Sequence, residues 1–166
     1  VLICLIPFYV AIMFFINWKV IVDGANDNLT ACYISMAVLK DMADTMYKAE
    51  GVGLAAPQVG VLRRVAVIDV GEGLVELVNP VITSREGSQC GREGCLSLPG
   101  RQAVVTRPNK VTVQYQDRKG EHHELTAEGF FARAVCHELD HLDGTLYIDV
   151  MDRELTPEEI EGHIPE

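Results

Sequence analysis

The sequence has no CxxC pair, no long run of lysine or arginine, no internal repeat and no low-complexity linker. Each absence removes a class of protein. Five cysteines, an odd number without paired spacing, argue against a disulfide framework and fit free thiols in a reducing compartment. Lys and Arg total 14 against 24 Asp and Glu, a net charge of −10, so a basic surface for nonspecific nucleic-acid binding is not expected. Charge is also missing locally. Val1 to Trp18 carries no charged side chain, and after Lys19 the chain stays apolar to Val22. The run approaches the roughly 20 residues of a membrane span but lacks the basic start of a secretory signal. It reads in three ways: a membrane anchor, a buried pair of strands, or a segment foreign to the original gene. Its aromatic and β-branched content favours burial as strands. The chain opens on Val1, which reads as a gene start lying upstream.

What remains is ordinary for a globular domain. Hydrophobic residues make up 48% and charged residues 23% of 166, enough for one domain with a real core. Leu39, Met42, Ala43 and Met46 recur at helical spacing within Thr30 to Glu50, with the methionines as core filler. The glycines of "EGVGLAAPQVG" end that helix, and Gly60 reads as a turn. Segments "VLRRVAVIDV", "LVELVNPVIT", "AVVTRP", "KVTVQYQD" and "HHELTA" are rich in β-branched residues and read as strands, with "DRKG" as a hairpin turn. A helix is expected from about Glu128 to Leu142, stopped by Gly144, and "LYIDV" reads as a further strand. "LTPEEIEG" opens a short final helix with Thr156 as N-cap, Pro157 at the first helical position and Glu159 closing a capping box. Several strands with helices at separate places predict an α+β fold, mostly antiparallel sheets packed around the central helix that carries "HELDH".

That helix holds the densest chemistry. His137 and His141 are four apart and share one face, where two imidazoles can grip one ion. Glu138 points about 100° further round, beside the ion rather than onto it. This is the HExxH pattern of two ligands plus a general base. Phe131, Val135, Leu139 and Leu142 form an apolar stripe next to one made of Phe130, Ala134, His137 and His141. HExxH also arises in helices whose histidines are merely solvated, so a third ligand and an oxyanion stabiliser are required elsewhere. Cys95 in "REGCLSLPG" is such a ligand, or else a small buried hydrophobe, the usual role of a free cysteine. Cys90 and Cys136 read as the latter, Cys136 on a different face from His137. Asp140 has Arg107 or solvent as its partner, Asp143 reads as local capping or solvation, and His122, His123 and His163 read as exposed residues without ligand spacing.

Three segments together resemble the signature motifs of the peptide deformylases: "GVGLAAPQ" at Gly51 to Gln58, "EGCLS" at Glu93 to Ser97 and "HELDH" at His137 to His141. The resemblance covers about Leu39 to Asp152, and the three motifs in this order are highly specific. It implies that Cys95, His137 and His141 bind one divalent metal, preferentially Fe2+, with Zn2+, Ni2+ or Co2+ as substitutes. It implies Glu138 as general base and acid, Gln58 and the backbone N–H of Leu96 as hydrogen-bond donors to the formyl oxygen, and the Gly51–Val52–Gly53 backbone as the wall along which an extended peptide lies. The implied reaction is removal of the formyl group from the N-terminal formylmethionine of nascent polypeptides, releasing formate, in the cytoplasm. The implied partner is the formyl-peptide. A ribosomal contact gains no support from the short, acidic C-terminus, no direct nucleic-acid binding is expected, and membrane contact by the N-terminus is one of the open readings above. Residues 1–166 are expected to form one deformylase-like catalytic domain, with residues 1 to about 28 departing from the more polar start usual in that family.

Two rival readings carry their own requirements. A zincin-type peptidase needs a third ligand downstream of His141, from His163, Glu154, Glu158 or Glu159. A non-catalytic, metal-stabilised domain would bind formyl-peptides without hydrolysing them.

Overall fold

The computed structural model describes residues 28–162, so the readings of the apolar N-terminal run and of His163 lie outside the described residues. Helix α1 (Asn28–Lys48) lays Leu39, Met42, Ala43 and Met46 on one buried face, as their spacing predicts. They pack on Leu54, Ala56, Val65 and Val67. The helix ends because Glu50 enters the left-handed region at φ 55°, and Gly51 N–H returns to Met46 O at 3.0 Å.

Eight strands make two sheets. Strands β1 (Gly53–Ala55), β2 (Val65–Ile68), β3 (Val75–Glu86), β6 (Lys110–Gln116) and β7 (His122–Glu128) form a five-stranded sheet in the order β1-β2-β3-β6-β7. Strands β4 (Gln89–Cys95), β5 (Leu98–Arg107) and β8 (Arg153–Glu154) form a three-stranded sheet in the order β4-β5-β8. Every pairing is antiparallel. The DRKG turn joins β6 to β7, with Asp117 Oδ1 accepting from the N–H groups of Lys119 and Glu121. Strand β3 bulges between Val78 and Val81, where Asn79 sits at φ 50° before Pro80, a pair that cannot continue the ladder.

Helix α2 (Gly129–Leu142) fills the space between the sheets. Val135, Leu139 and Leu142 join Ile68, Leu77, Val111 and Val113 in the main core, with Phe131 half-buried against it. Gly144 stops the helix at φ 73°, its N–H reaching His141 O. The "LYIDV" segment corrects the expected strand. It is a single helical turn, α3 (Tyr147–Val150), because Asp149 Oδ2 accepts from Leu146 N–H at 2.9 Å and closes a capping box. Local capping outweighs the β-branched content there. Helix α4 (Pro157–Glu161) starts as its sequence predicts, with Thr156 and Glu159 bonded reciprocally.

Candidate metal centre and active site

Cys95 arrives from the end of β4. The β4–β5 register breaks between Gly94 and Cys95, so Cys95 pairs with Leu98 across a two-residue turn of Leu96 and Ser97. That turn brings Ser97 N–H to 3.4 Å from Cys95 Sγ. The register break is the local feature that hands the cysteine to helix α2. There Cys95 Sγ lies 3.2 Å from His141 Nε2. One donor atom each from Cys95, His137 and His141 falls within 4.8 Å of the others. Bond lengths of about 2.0–2.3 Å in a tetrahedral site place ligand atoms about 3.3–3.6 Å apart, so this donor set fits a single divalent ion. One soft sulfur and two imidazole nitrogens suit a borderline metal and leave one position open.

The two histidines are held differently. His137 Nδ1 meets Glu93 Oε2 at 3.0 Å, which turns its Nε2 toward the sulfur. Its ring stands edge-on to His141 at 4.9 Å between centroids and lies near-parallel to Tyr147 at 6.0 Å. Tyr147 is buried, and its hydroxyl has no hydrogen-bond partner among the described residues. Burial alone would push the Cys95 thiol up; hydrogen bonds from His137 and His141 outweigh it and bring it down to about 5. Burial pulls His137 down, but Cys95 and Glu93 overcome that and raise it to about 10. These opposite shifts favour a thiolate facing an imidazolium in the metal-free pair, and a divalent ion held there would supply the countercharge in place of that proton.

Glu93 is the centre of a buried charge cluster that the sequence motif quotes but assigns no part. Its carboxylate accepts from Arg107 Nε and Nη2, both at 3.0 Å, from Arg133 Nη1 at 3.1 Å, and faces His137. Burial opposes its charge, yet His137 and Arg107 hold it down at about 2. Arg107 Nη1 continues to Asp140 Oδ2 at 2.5 Å, which selects the arginine over solvent as the partner of Asp140. Asp143 caps the helix end through its backbone and also pairs with Arg64 at 2.6 Å.

Glu138 points to the other side of the centre. It is 4% exposed, and its Oε2 is buried with no hydrogen-bond partner among the described residues. Burial raises its pKa, the histidines offset part of that rise, and it settles at about 7. A carboxylate so placed both takes and gives protons near neutrality. Gly53 makes room for it. A Cβ on Gly53 would collide with Glu138 Oε1. The Gly53→Ala variant is therefore expected to fold at a cost of about 1–3 kcal/mol. It should lose activity at least roughly tenfold, because misplacing a reacting group by about 1 Å has effects of that order or larger. A thermal melt beside a rate measurement checks both.

Gln58 sits on the 3-10 turn Ala56–Val59. Its Oε1 accepts from Ala55 N–H at 2.8 Å, and its Nε2 donates to Ser97 Oγ at 3.0 Å and approaches Cys95 Sγ at 3.6 Å. Leu96 N–H donates to no acceptor among the described residues. Gly51, Val52 and Gly53 wall a cleft of about 490 Å³ that runs past Cys95, His137 and Glu138 to Phe130. Every residue selected from the sequence for the site thus meets in one place.

Two of the rival third ligands are engaged elsewhere. Glu154 pairs with Arg101 at 2.6 Å, and Glu159 pairs with Arg153 at 2.9 Å while capping α4. His122 and His123 are exposed, as their sequence context predicts, and His123 on β7 lies with Asp117 and Glu121 in a second, mostly exposed group of donor atoms within 4.8 Å of one another. Cys136 is buried in the main core, where its thiol is pushed up by burial, and Cys90 is exposed.

Comparison with known proteins agrees over most of the chain. The family model described as polypeptide deformylase matches residues 30–156. The peptide deformylase of Caldanaerobacter subterraneus is 58% identical over 127 residues, 76% of this chain and 80% of that one. That of Caldicellulosiruptor bescii is 60% identical over 124 residues, 75% of each chain. Among solved structures, the peptide deformylase of Thermotoga maritima superposes with a TM-score of 0.73 at 37% identity, covering 83% of this chain and 91% of that chain. The Synechococcus elongatus peptide deformylase, solved in complex with actinonin, gives 0.74 at 36% identity over 84% of this chain and 74% of that chain.

Proposed function

The chain belongs to the polypeptide deformylase family, metal-dependent hydrolases that remove the formyl group from the N-terminus of nascent polypeptides, and from that premise we propose how its own residues divide the work. Cys95, His137 and His141 hold the metal, which we assign as Fe2+, with Zn2+, Ni2+ or Co2+ able to replace it. The observation that carries this reading is the convergence of one thiol and two imidazoles, from positions 95, 137 and 141, within 4.8 Å. A divalent ion held by these three residues would act as a Lewis acid, lowering the pKa of a water toward neutrality.

The protein side chains do the rest. Glu138 takes the proton from the attacking water, and its unpartnered Oε2 is the atom best placed to hold it. Gln58 Nε2 and Leu96 N–H donate to the formyl oxygen as negative charge grows on it. As the bond from the formyl carbon to nitrogen breaks, Glu138 returns the proton to the amine, and formate and a free N-terminus leave. The outer edge of β1, unpaired among the described residues and beside Gly51–Val52–Gly53, takes the peptide as an added strand. We treat the chain as one catalytic domain. The compartment we assign is the cytoplasm, and no helix among the described residues is long and apolar enough to cross a membrane.

The test is formate release from formyl-Met-Ala-Ser by protein purified and loaded with Fe2+ without oxygen. Turnover is expected, together with one metal per chain. Cys95→Ala should lose the metal and the activity together. Metal retained in full by Cys95→Ala would favour the zincin reading, and tight formyl-peptide binding without formate by fully loaded protein would favour the non-catalytic one.

A further inference from the structure

Helix α2 also borders a cavity on the face turned away from the metal centre. Cys136, Leu139, Asp140 and Asp143 follow one another at three- and four-residue steps, on a stripe nearly opposite to His137, Glu138 and His141. With Ile82 of β3 and Pro108 they line a space of about 240 Å³. Strand β3 opens it. Its register with β6 slips twice, between Val78 and Val81 and between Ile82 and Ser84. Each bulge bends the strand, and such bulges gather beside sites.

Three guanidinium groups border the cavity, and two of them are engaged. Arg107 holds Glu93 and Asp140, and Arg64 holds Asp143 at 2.6 Å. The Arg85 guanidinium has no hydrogen bond or ion pair among the described residues. Acids outnumber bases by 24 to 14 in this chain, yet both aspartates of the cavity are committed to other arginines. The charge of Arg85 reaches the cavity floor. Burial pushes the Cys136 thiol up, and Arg107 and Arg85 both work against that rise.

These features select a ligand. The floor is apolar, made by Ile82, Pro108, Cys136 and Leu139, and the unused cation stands beside it. A guanidinium fork matches a carboxylate bidentately. Asp140 and Asp143 share the wall and repel a second negative charge, which favours a monoanion over a dianion. The volume falls below the roughly 300–1,000 Å³ of sites for drug-sized molecules, so the body is small.

We propose that this cavity binds a small monocarboxylate with an apolar body, its carboxylate on Arg85 and its body against Cys136, Leu139, Ile82 and Pro108. The site is separated from the substrate cleft by the thickness of α2 and does not depend on the deformylase reading.

Equilibrium dialysis of benzoate and of benzamide against the metal-loaded full chain tests it. The wild type should bind benzoate saturably, with a Kd of the order of 1 mM for so small a ligand. Benzamide has the same shape without the charge and should bind at least roughly tenfold more weakly. Arg85 is exposed and outside the cleft, so Arg85→Glu should fold and keep its rate of formate release. It should weaken benzoate by roughly 10- to 100-fold, the effect of losing a hydrogen bond to a charged group. Lys119→Glu makes the same change in net charge on the β6–β7 turn and should leave binding as it was. Cys136→Leu fills the floor, keeps every arginine and should also lose benzoate. A carboxylate seated on the metal would bind the wild type and Arg85→Glu alike, and that result would overturn the inference. So would equal loss in Lys119→Glu, benzamide bound as tightly as benzoate, or no saturation in the wild type up to about 20 mM. Binding retained by folded Cys136→Leu would place the anion on an exposed arginine and overturn the cavity; if that variant does not fold, Arg85→Glu and benzamide decide.

Discussion

Replacing Glu138 by Gln is expected to lower kcat for formate release by roughly 10²–10⁴-fold, the usual contribution of a positioned acid–base group, while the metal content stays at one per chain. The reasoning is geometric. Glu138 lies one residue after a ligand and points off the metal axis, so the amide leaves the donor set of Cys95, His137 and His141 intact. The amide has the same shape and fits against Gly53 where a larger group would not. It cannot take a proton from water at neutral pH. KM should change little, because substrate positioning falls to the β1 edge and the cleft walls. A variant that lost metal and activity in parallel would instead make Glu138 a structural prop. Full activity in Glu138→Gln would remove it from the reaction.

The contrast with Gly53→Ala sharpens this assignment. Gly53→Ala displaces the carboxylate but keeps it ionisable, and Glu138→Gln keeps the position but removes the proton site. Both should lose rate, by different routes. Only in Gly53→Ala should a residual acid limb in the rate profile persist, reporting a carboxyl group that still titrates.

The parts of the site that were legible from the sequence are those whose spacing is local. His137, Glu138 and His141 are fixed relative to one another by the helical repeat, and a stripe of Val135, Leu139 and Leu142 announces the buried face that holds the helix in place. Strands β2, β3, β5, β6 and β7 were readable for the same reason, since alternation and the Asp117–Gly120 turn are short-range signals, whereas β4, with two glycines in its seven residues, was not among the expected strands. The position of Cys95 was not local. Its meeting with His141 spans 46 residues and depends on a broken register at Gly94, which no periodicity encodes; only the likeness of motifs pointed to it. Tyr147 was misplaced because "LYIDV" has strand composition and a helical cap, and the cap decides a segment of four residues. Glu93, Arg107 and Arg133 were visible as letters but silent as a group. A buried guanidinium in "FFARAVC" is the one signal that could have led to them, since an arginine inside an apolar helix face requires a carboxylate nearby.

That buried cluster yields the largest expected effect on stability. Glu93→Ala should destabilise the fold by about 3–5 kcal/mol, the range found when one partner of a buried ion pair is removed. Two guanidinium groups converge on the Glu93 carboxylate, and among the described residues only Arg107 has a second acidic partner, Asp140. Without Glu93, Arg133 keeps backbone carbonyls but no countercharge. His137 loses the acceptor that fixes its Nδ1, so metal affinity should fall by roughly 10- to 100-fold as well, the usual effect of removing a group that orients a ligand. The two effects separate in the double variant Glu93→Leu/Arg133→Leu. It removes one charge of each sign and replaces them with packed carbon, so most of the stability should return. The ring of His137 would still lack its partner, so metal affinity should stay low. Denaturant melts on the metal-free protein and competition titrations with a chelator measure the two quantities independently. Recovery of both in the double variant would mean that Glu93 serves charge balance alone; recovery of neither would place its role in packing.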